Sequence, residues 1–255
     1  MEHETILTVK DLSGGYRSRG LFGRRRETPI FSGVSFTLRR GETLGLVGES
    51  GSGKSTLART VLGLQPPFSG EVIRGFFDRP QMIFQDPLGA LNPAMTVEHI
   101  AAEPLIAAGV RSRAERERAV KEIFDAVELP EACRGRRPGA LSGGQRQRVC
   151  IAAALVTRPT LVAADEPVSA LDVTLQAQIL SLLGRLRKEM GLSMLFVSHD
   201  LPLVSSFCDR VLVMQNGAIV EQGDAAKVLS SPEHPFTKRL AAAALGEIPG
   251  RGKKV

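Results

Sequence analysis

Residues 42–63 read ETLGLVGESGSGKSTLARTVLG. Leu44, Leu46 and Val47 form the apolar end of an expected strand. From Lys54 onward, Leu57, Ala58, Val61 and Leu62 fall on one helical face, and Gly63 is placed to end that helix. Between the two elements, Gly48, Glu49, Ser50, Gly51, Ser52, Gly53, Lys54 and Ser55, followed by Thr56, fit the spacing of a phosphate loop. Glycines there let the backbone turn its N–H groups around an anion, which also gains from the positive end of the helix. In this reading Lys54 neutralises the β- and γ-phosphates of a nucleotide, and the Ser55 hydroxyl is a ligand to Mg2+. A Gly/Ser-rich turn alone is a flexible connector; the strand before it and the helix after it make it a nucleotide-binding expectation.

The 255 residues suffice for a substantial core. No apolar run approaches the length that spans a bilayer, since IAAEPLIAAGV is interrupted by Glu103 and Pro104. The opening ten residues are acidic and then strand-like, unlike a secretory leader. A cytosolic protein that works at membranes only through partners is expected. Cys133, Cys150 and Cys208 lack metal-ligand spacing and read as free thiols. The net charge of +6 is concentrated in Arg17, Arg19, Arg24, Arg25 and Arg26, opposed by Glu27, and in Arg251, Lys253 and Lys254. Such runs read first as solvated loops, and second as contacts for lipid headgroups or an acidic partner. Few aromatics interleave with them and no recognition motif accompanies them, so nucleic acid is not an expected partner.

Ile6, Val9 and Leu12 predict a first strand ending at Ser13-Gly14-Gly15, followed by Tyr16, the only tyrosine. Taken alone, Tyr16 reads as a core contact. Val34, Phe36 and Leu38 alternate as a half-buried strand, and two short β-like pieces flank Arg74-Gly75. Beyond Gln85-Asp86-Pro87 the pattern turns helical. Thr96 caps a helix expected through Ala102, Ser112 and Glu115 suggest a capping box, and Pro130 is expected to end the helix carrying Val120, Ile123, Phe124 and Val127.

Ser142 and Gln145 suggest another capping box. Gly143 and Gly144 between them are poor helix formers, so their use would be close backbone approach to a ligand. The apolar strand at 160–164 delivers Asp165 and Glu166, carboxylates that are costly unless a cation meets them. Asp165 is placed to hold Mg2+ through its water shell. Glu166, on the opposite side of the strand, is free to accept a proton from water. Asp172 starts a helix with Leu175, Ile179, Leu182, Leu183 and Leu186 facing the core. A further strand, 194–197, presents His199 at its carboxyl end, where α/β sheets bind ligands, which favours a γ-phosphate contact. Asn216-Gly217 predicts a hairpin turn.

Together these residues resemble the nucleotide-binding subunit of an ATP-binding cassette (ABC) transporter. GESGSGKS is similar to the Walker A loop, FQDP to the Q-loop, LSGGQ to the family signature, LVAADEP to Walker B, SALD to the D-loop and SHD to the switch histidine. The resemblance implies an α/β P-loop NTPase with a RecA-like core at about 1–85 and 158–230, a small antiparallel β-subdomain, a helical insertion at about 86–157 and a tail at 231–255. It implies two cassettes closing head to tail on two ATP molecules, with Ser142, Gly143, Gly144 and Gln145 acting on the partner's nucleotide. It makes Tyr16 the adenine-stacking aromatic and Gln85 the sensor of Mg2+ and attacking water that links to the transmembrane subunits. Glu166 becomes the general base, His199 its γ-phosphate partner, and Asp172 the residue that crosses the dimer interface.

GLFGRRRE, QDPLGALNPAMTV, VSALDVTLQAQIL and HPFTKRL are similar to the importers of dipeptides, oligopeptides and nickel or its chelates. These belong to bacteria and archaea, and imply a second ATPase subunit, two permeases and an external substrate-binding protein, with the cassette on the cytoplasmic face of the membrane. Three features depart from that branch. Residues 71–81 are short, so the β-subdomain should be trimmed; Ala153 stands where Arg is common; and no cysteine follows Cys208, so no iron–sulfur cluster is expected. A soluble cassette acting on DNA or ribosomes would show long coiled coils or tandem cassettes. A regulatory cassette without turnover conflicts with intact Lys54, Glu166 and His199.

Overall fold

The computed structural model describes residues 4–19 and 25–244. Arg24, Arg251, Lys253 and Lys254, together with the end of the tail, lie outside the described residues. In chain order the elements are β1 Thr5–Arg19, β2 Arg25–Arg39, β3 Thr43–Val47, α1 Lys54–Val61, β4 Ser69–Arg74, β5 Gln81–Ile83, α2 Pro87–Ala90 and α3 Val97–Ala107. They continue with α4 Arg113–Ala126, α5 Gly143–Leu155, β6 Leu161–Asp165, α6 Val173–Met190, β7 Ser193–Val197, α7 Leu201–Phe207, β8 Arg210–Gln215, β9 Ala218–Asp224, α8 Ala225–Ser230 and α9 Pro235–Ala244. The chain divides into two compact units, Met1–Phe77 with Leu195–Val255, and Asp78–Met194.

In the first unit, β2, β1 and β4 form an antiparallel sheet. β1 does not end at Gly14-Gly15 as expected. It shifts register at both glycines and continues to Arg19. A Cβ on Gly15 would lie 2.0 Å from the Thr28 carbonyl oxygen, so this close crossing admits only glycine. The described part of the basic segment is therefore strand, not solvated loop. Arg17 pairs with Glu27 at 3.0 Å and lies over the Phe68 ring at 5.1 Å.

The fully buried β3 runs parallel to β8, and β8 turns through Asn216-Gly217 into antiparallel β9, as the sequence predicted. Asn216 and Gly217 both have positive φ, 48° and 79°, which a two-residue hairpin turn of matching twist requires. Asp209 accepts from the Thr43 N–H at 2.7 Å, and its own N–H donates to Thr43 O at 2.9 Å, pinning the start of β3. The HPFTKRL motif opens α9. Glu221 of β9 accepts from the Glu233 and His234 N–H groups at 2.9 and 3.1 Å, and Phe236 and Thr237 are buried.

In the second unit β5 and β6 pair in parallel, with Ile83 opposite Ala164. Asp78 caps the entry to β6, accepting from the Thr160 N–H at 2.6 Å and its hydroxyl at 2.7 Å. α3 is longer than expected, passing through Pro104 to Ala107. The missing Pro104 N–H and its ring cost about 3 kcal/mol. Burial of Val97, Ile100 and Leu105, each contributing about 1.5–3 kcal/mol, outweighs that. Thr96 caps the helix, and the Val97 and Glu98 N–H groups donate to Arg136 O and Arg134 O. α4 ends at Ala126, four residues before Pro130, because Glu128 turns left-handed at φ 56°. On α6, Ile179, Leu182, Leu183 and Leu186 are buried as expected, while Leu175 is half-buried.

Candidate nucleotide site

The first unit carries the phosphate loop. Gly48 leaves β3 at φ 153°, where an added Cβ would lie 2.1 Å from Met214 O and 3.0 Å from Ser52 Oγ. No side chain could occupy that position without moving the β8 backbone. Gly51 and Gly53 also have positive φ, Ser52 N–H donates to Glu49 O at 3.2 Å, and Gly217 N–H donates to Ser52 O at 3.2 Å. The β8–β9 turn thus braces the loop. α1 starts behind Gly53 without any side-chain cap, so its first-turn N–H groups are presented to whatever the loop surrounds.

Lys54 is 6% exposed, and its Nζ donates to Gly48 O and Glu49 O, both at 2.8 Å. The ammonium is thereby held over the loop by backbone carbonyls. Ser52 Oγ is buried without a hydrogen-bond partner, the kind of orphan a bound anion satisfies. Glu49 and Ser50 are exposed, Ser55 is half-buried and Thr56 is buried. Tyr16 is 54% exposed, not packed in the core, and its Oη lies 3.4 Å from Thr56 Oγ1. One hydroxyl contact therefore joins the predicted adenine residue to the helix behind the loop. His199 follows β7, exposed; the neighbouring Ser198 N–H donates to Leu46 O of β3 at 3.2 Å.

The second unit carries the carboxylates and the signature. Side-by-side pairing of β5 and β6 brings together residues far apart in sequence: Gln85 Nε2 donates to Glu166 Oε2 at 2.9 Å. Asp165 ends β6 and is 2% exposed. Strand alternation does not orient Glu166, because the strand has ended and Glu166 is left-handed at φ 47°; nor is its carboxylate free, since Gln85 holds it. Ser142 and Gln145 form the reciprocal capping box of α5: Ser142 Oγ accepts from Gln145 N–H at 3.3 Å, and Gln145 Oε1 from Ser142 N–H at 3.0 Å. Both keep donors for a ligand, the Ser142 hydroxyl proton and the Gln145 amide N–H groups. Gly144 is buried, and a Cβ there would meet Leu175 Cδ2 at 3.1 Å. Packing against α6 is thus one physical reason for that glycine, and Gly143 is the less buried of the pair. Asp172 caps α6, accepting from Leu175 N–H at 2.9 Å.

Sequence reasoning missed Asp78, which fixes β6, and Met214 and Gly217, which shape the phosphate loop. Their roles depend on long-range pairing and leave no local pattern. The three cysteines are buried free thiols, as expected.

The sequence pattern of the ABC transporter family matches residues 31–169, and the chain belongs to that family. It is an ATP-binding cassette of the ATP-hydrolysing kind. It is 44% identical over 240 residues to the probable D,D-dipeptide transport ATP-binding protein DdpF of Escherichia coli K12, covering 93% of this chain and 78% of the relative. It is 41% identical to the oligopeptide transport ATP-binding protein OppF of Lactococcus lactis, covering 93% and 80%. Among solved structures, the dimeric cassette MJ0796 in a post-hydrolysis state with ADP and Pi superposes with a TM-score of 0.73 at 29% identity, over 86% of this chain and 99% of that one. CbiO1 of Clostridium perfringens, part of the cbiONQ transporter complex, gives 0.74 at 27% identity, over 95% and 98%.

Proposed function

We propose that this chain is the ATP-hydrolysing subunit of an ABC importer that takes up peptides. The supporting observation is the phosphate loop itself: an uncapped helix start, a buried lysine and an orphaned serine hydroxyl. The names of the relatives, which are peptide transport proteins, favour peptide over nickel as the cargo.

In this reading Tyr16 stacks on adenine, and Gly48 to Thr56 hold the triphosphate. Lys54 and His199 meet its terminal phosphate, and Glu166 takes the proton of the attacking water, with Gln85 orienting the carboxylate. Ser142, Gly143, Gly144 and Gln145 complete a second molecule's nucleotide site, with Asp172 at the shared face. Two solved relatives are dimeric cassettes, which supports pairing of two such chains. Mg2+ would be held by Ser55, Gln85 and Asp165, an all-oxygen donor set that suits a hard cation. Phosphate and water oxygens would supply the remaining ligands. When bound, Mg2+ offsets the charge of the phosphates.

None of the described helices is long and apolar enough to cross a membrane. In the same reading two permeases and an external binding protein would complete the importer, with the cassette placed peripherally on the cytoplasmic face. Deleting the gene should abolish uptake of a radiolabelled dipeptide, and an E166Q copy should not restore it. Undiminished uptake in the deletion strain would remove the importer reading.

A further inference from the structure

α5 and α6 begin at Ser142 and Asp172, and one residue outside both helices ties them together. α4 ends at Ala126, its cap residue is Val127, and Glu128 follows at φ 56°, a conformation few non-glycine residues adopt. The carbonyls of Ile123, Phe124 and Asp125 accept from the N–H groups of Val127, Leu129 and Glu128, whereas Ala126 O and Val127 O accept from side chains. Two arginines supply them. Arg148 of α5 donates through Nη1 to Val127 O at 2.5 Å and to Glu128 Oε2 at 3.2 Å. Arg185 of α6 donates through Nη2 to Ala126 O at 2.9 Å and to Glu128 Oε1 at 2.7 Å. Each carboxylate oxygen therefore serves a different helix.

The Glu128 side chain is 60% exposed, so the charge attraction adds little stability. What the contact supplies is geometry. The Arg148 side chain is only 15% exposed, and Arg148 lies six residues past the Ser142 cap, less than two helical turns. A shift of α5 relative to α6 would break one arm of the clasp and move the Ser142 end of α5 by a comparable amount. At the helix starts themselves, a Cβ on Gly144 would lie 3.1 Å from Leu175 Cδ2.

We propose that Glu128 is a positioning residue that fixes the offset between α5 and α6, so that Ser142 and Asp172 are presented to the second cassette in one geometry. This rests on the reading that the signature acts across the dimer. Glu128 touches no nucleotide; it acts through Arg148 and Arg185.

The test uses the full chain and measures kcat, KM for ATP, equilibrium ATP binding and melting temperature. In E128Q the amide presents donors to an arginine and one arm is lost. The expected result is a fall in kcat of about fivefold to tenfold with ATP affinity unchanged. R148A should act alike, and E128Q combined with R148A should be no worse than the poorer single variant, because the one carbonyl oxygen that E128Q keeps can still accept from Arg185. An unaltered kcat in E128Q, a parallel loss of ATP affinity, or simple additivity of the two changes would each overturn the proposal; a lowered melting temperature with normal kcat would show a contact of stability only. S142A, run in parallel, separates the two levels. Loss of turnover in S142A with normal E128Q sinks the clasp alone, whereas full activity in both sinks the cross-dimer reading and the clasp with it.

Discussion

Gln85 and Glu166, one just past β5 and the other just past β6, are joined by a 2.9 Å hydrogen bond from amide to carboxylate. The carboxylate read as the general base is thereby held in one orientation, and its holder sits at the start of the segment that leads to α2. Replacing the carboxylate removes the proton acceptor and leaves the phosphate loop intact. E166Q should therefore lose at least about a hundredfold in kcat, retain ATP affinity, and accumulate as an ATP-bound dimer in size-exclusion chromatography. Q85A, which removes the amide donor without deleting the carboxylate, should lose about tenfold. Equal turnover in wild type and E166Q would remove Glu166 from the chemistry.

The 2.1 Å approach of a Gly48 Cβ to Met214 O leaves no room for even a methyl group. G48A should weaken ATP binding by at least about a hundredfold in calorimetry, because the backbone must shift where the loop is built. G51A provides the contrast, since a Cβ there meets nothing within 4 Å, although its φ of 80° still imposes strain. Its loss should be smaller, and equal losses would argue against the Met214 contact as the cause.

Tyr16 is 54% exposed, and its hydroxyl lies 3.4 Å from Thr56 Oγ1. Y16A should weaken ATP by about fivefold to thirtyfold, the worth of a stacking contact, while inorganic tripolyphosphate binds as before. Y16F, which keeps the ring, should stay close to wild type. A matching loss for ATP and tripolyphosphate would take Tyr16 away from the adenine.

Burial, reinforced by the nearby Asp86 carboxylate, pushes the Cys150 thiol up from 9.0 to about 12. A raised folded value means that this thiol's contribution to stability is complete below pH 9 and is lost as the unfolded chain ionises between pH 9 and about 12. Folded protein at pH 8 should leave Cys150 unalkylated by iodoacetamide, and reaction should appear only with unfolding. C150A should flatten the alkaline fall in melting temperature. Rapid labelling of Cys150 in native protein at pH 8 would contradict this account.

The elements most legible in the sequence were those whose cause is local. A buried strand, glycines that can turn and a helix with an apolar face sufficed to locate Gly48 to Thr56, and the Ser142/Gln145 box and the Asn216-Gly217 turn are likewise set by neighbouring residues. What required the structure was set by distant pairing. Glycines at 14 and 15 look like an ending, yet Thr28 passes so close to Gly15 that glycine is what lets β1 continue. Pro104 looks like a break, but α3 is fixed at its start by a cap and by carbonyls from residues 134 and 136, with enough buried surface to tolerate one missing bond. The contact of Gln85 with Glu166 follows from β5 and β6 lying side by side, and no periodicity announces it.

The Gly217 amide holds Ser52 O, and the Met214 carbonyl walls in Gly48, so the far hairpin is a mould against which the ATP cradle is cast. Substitutions in that hairpin, more than 150 residues downstream of the glycine-rich motif, should behave in a genetic screen as nucleotide-affinity alleles, although none of their side chains need ever touch ATP.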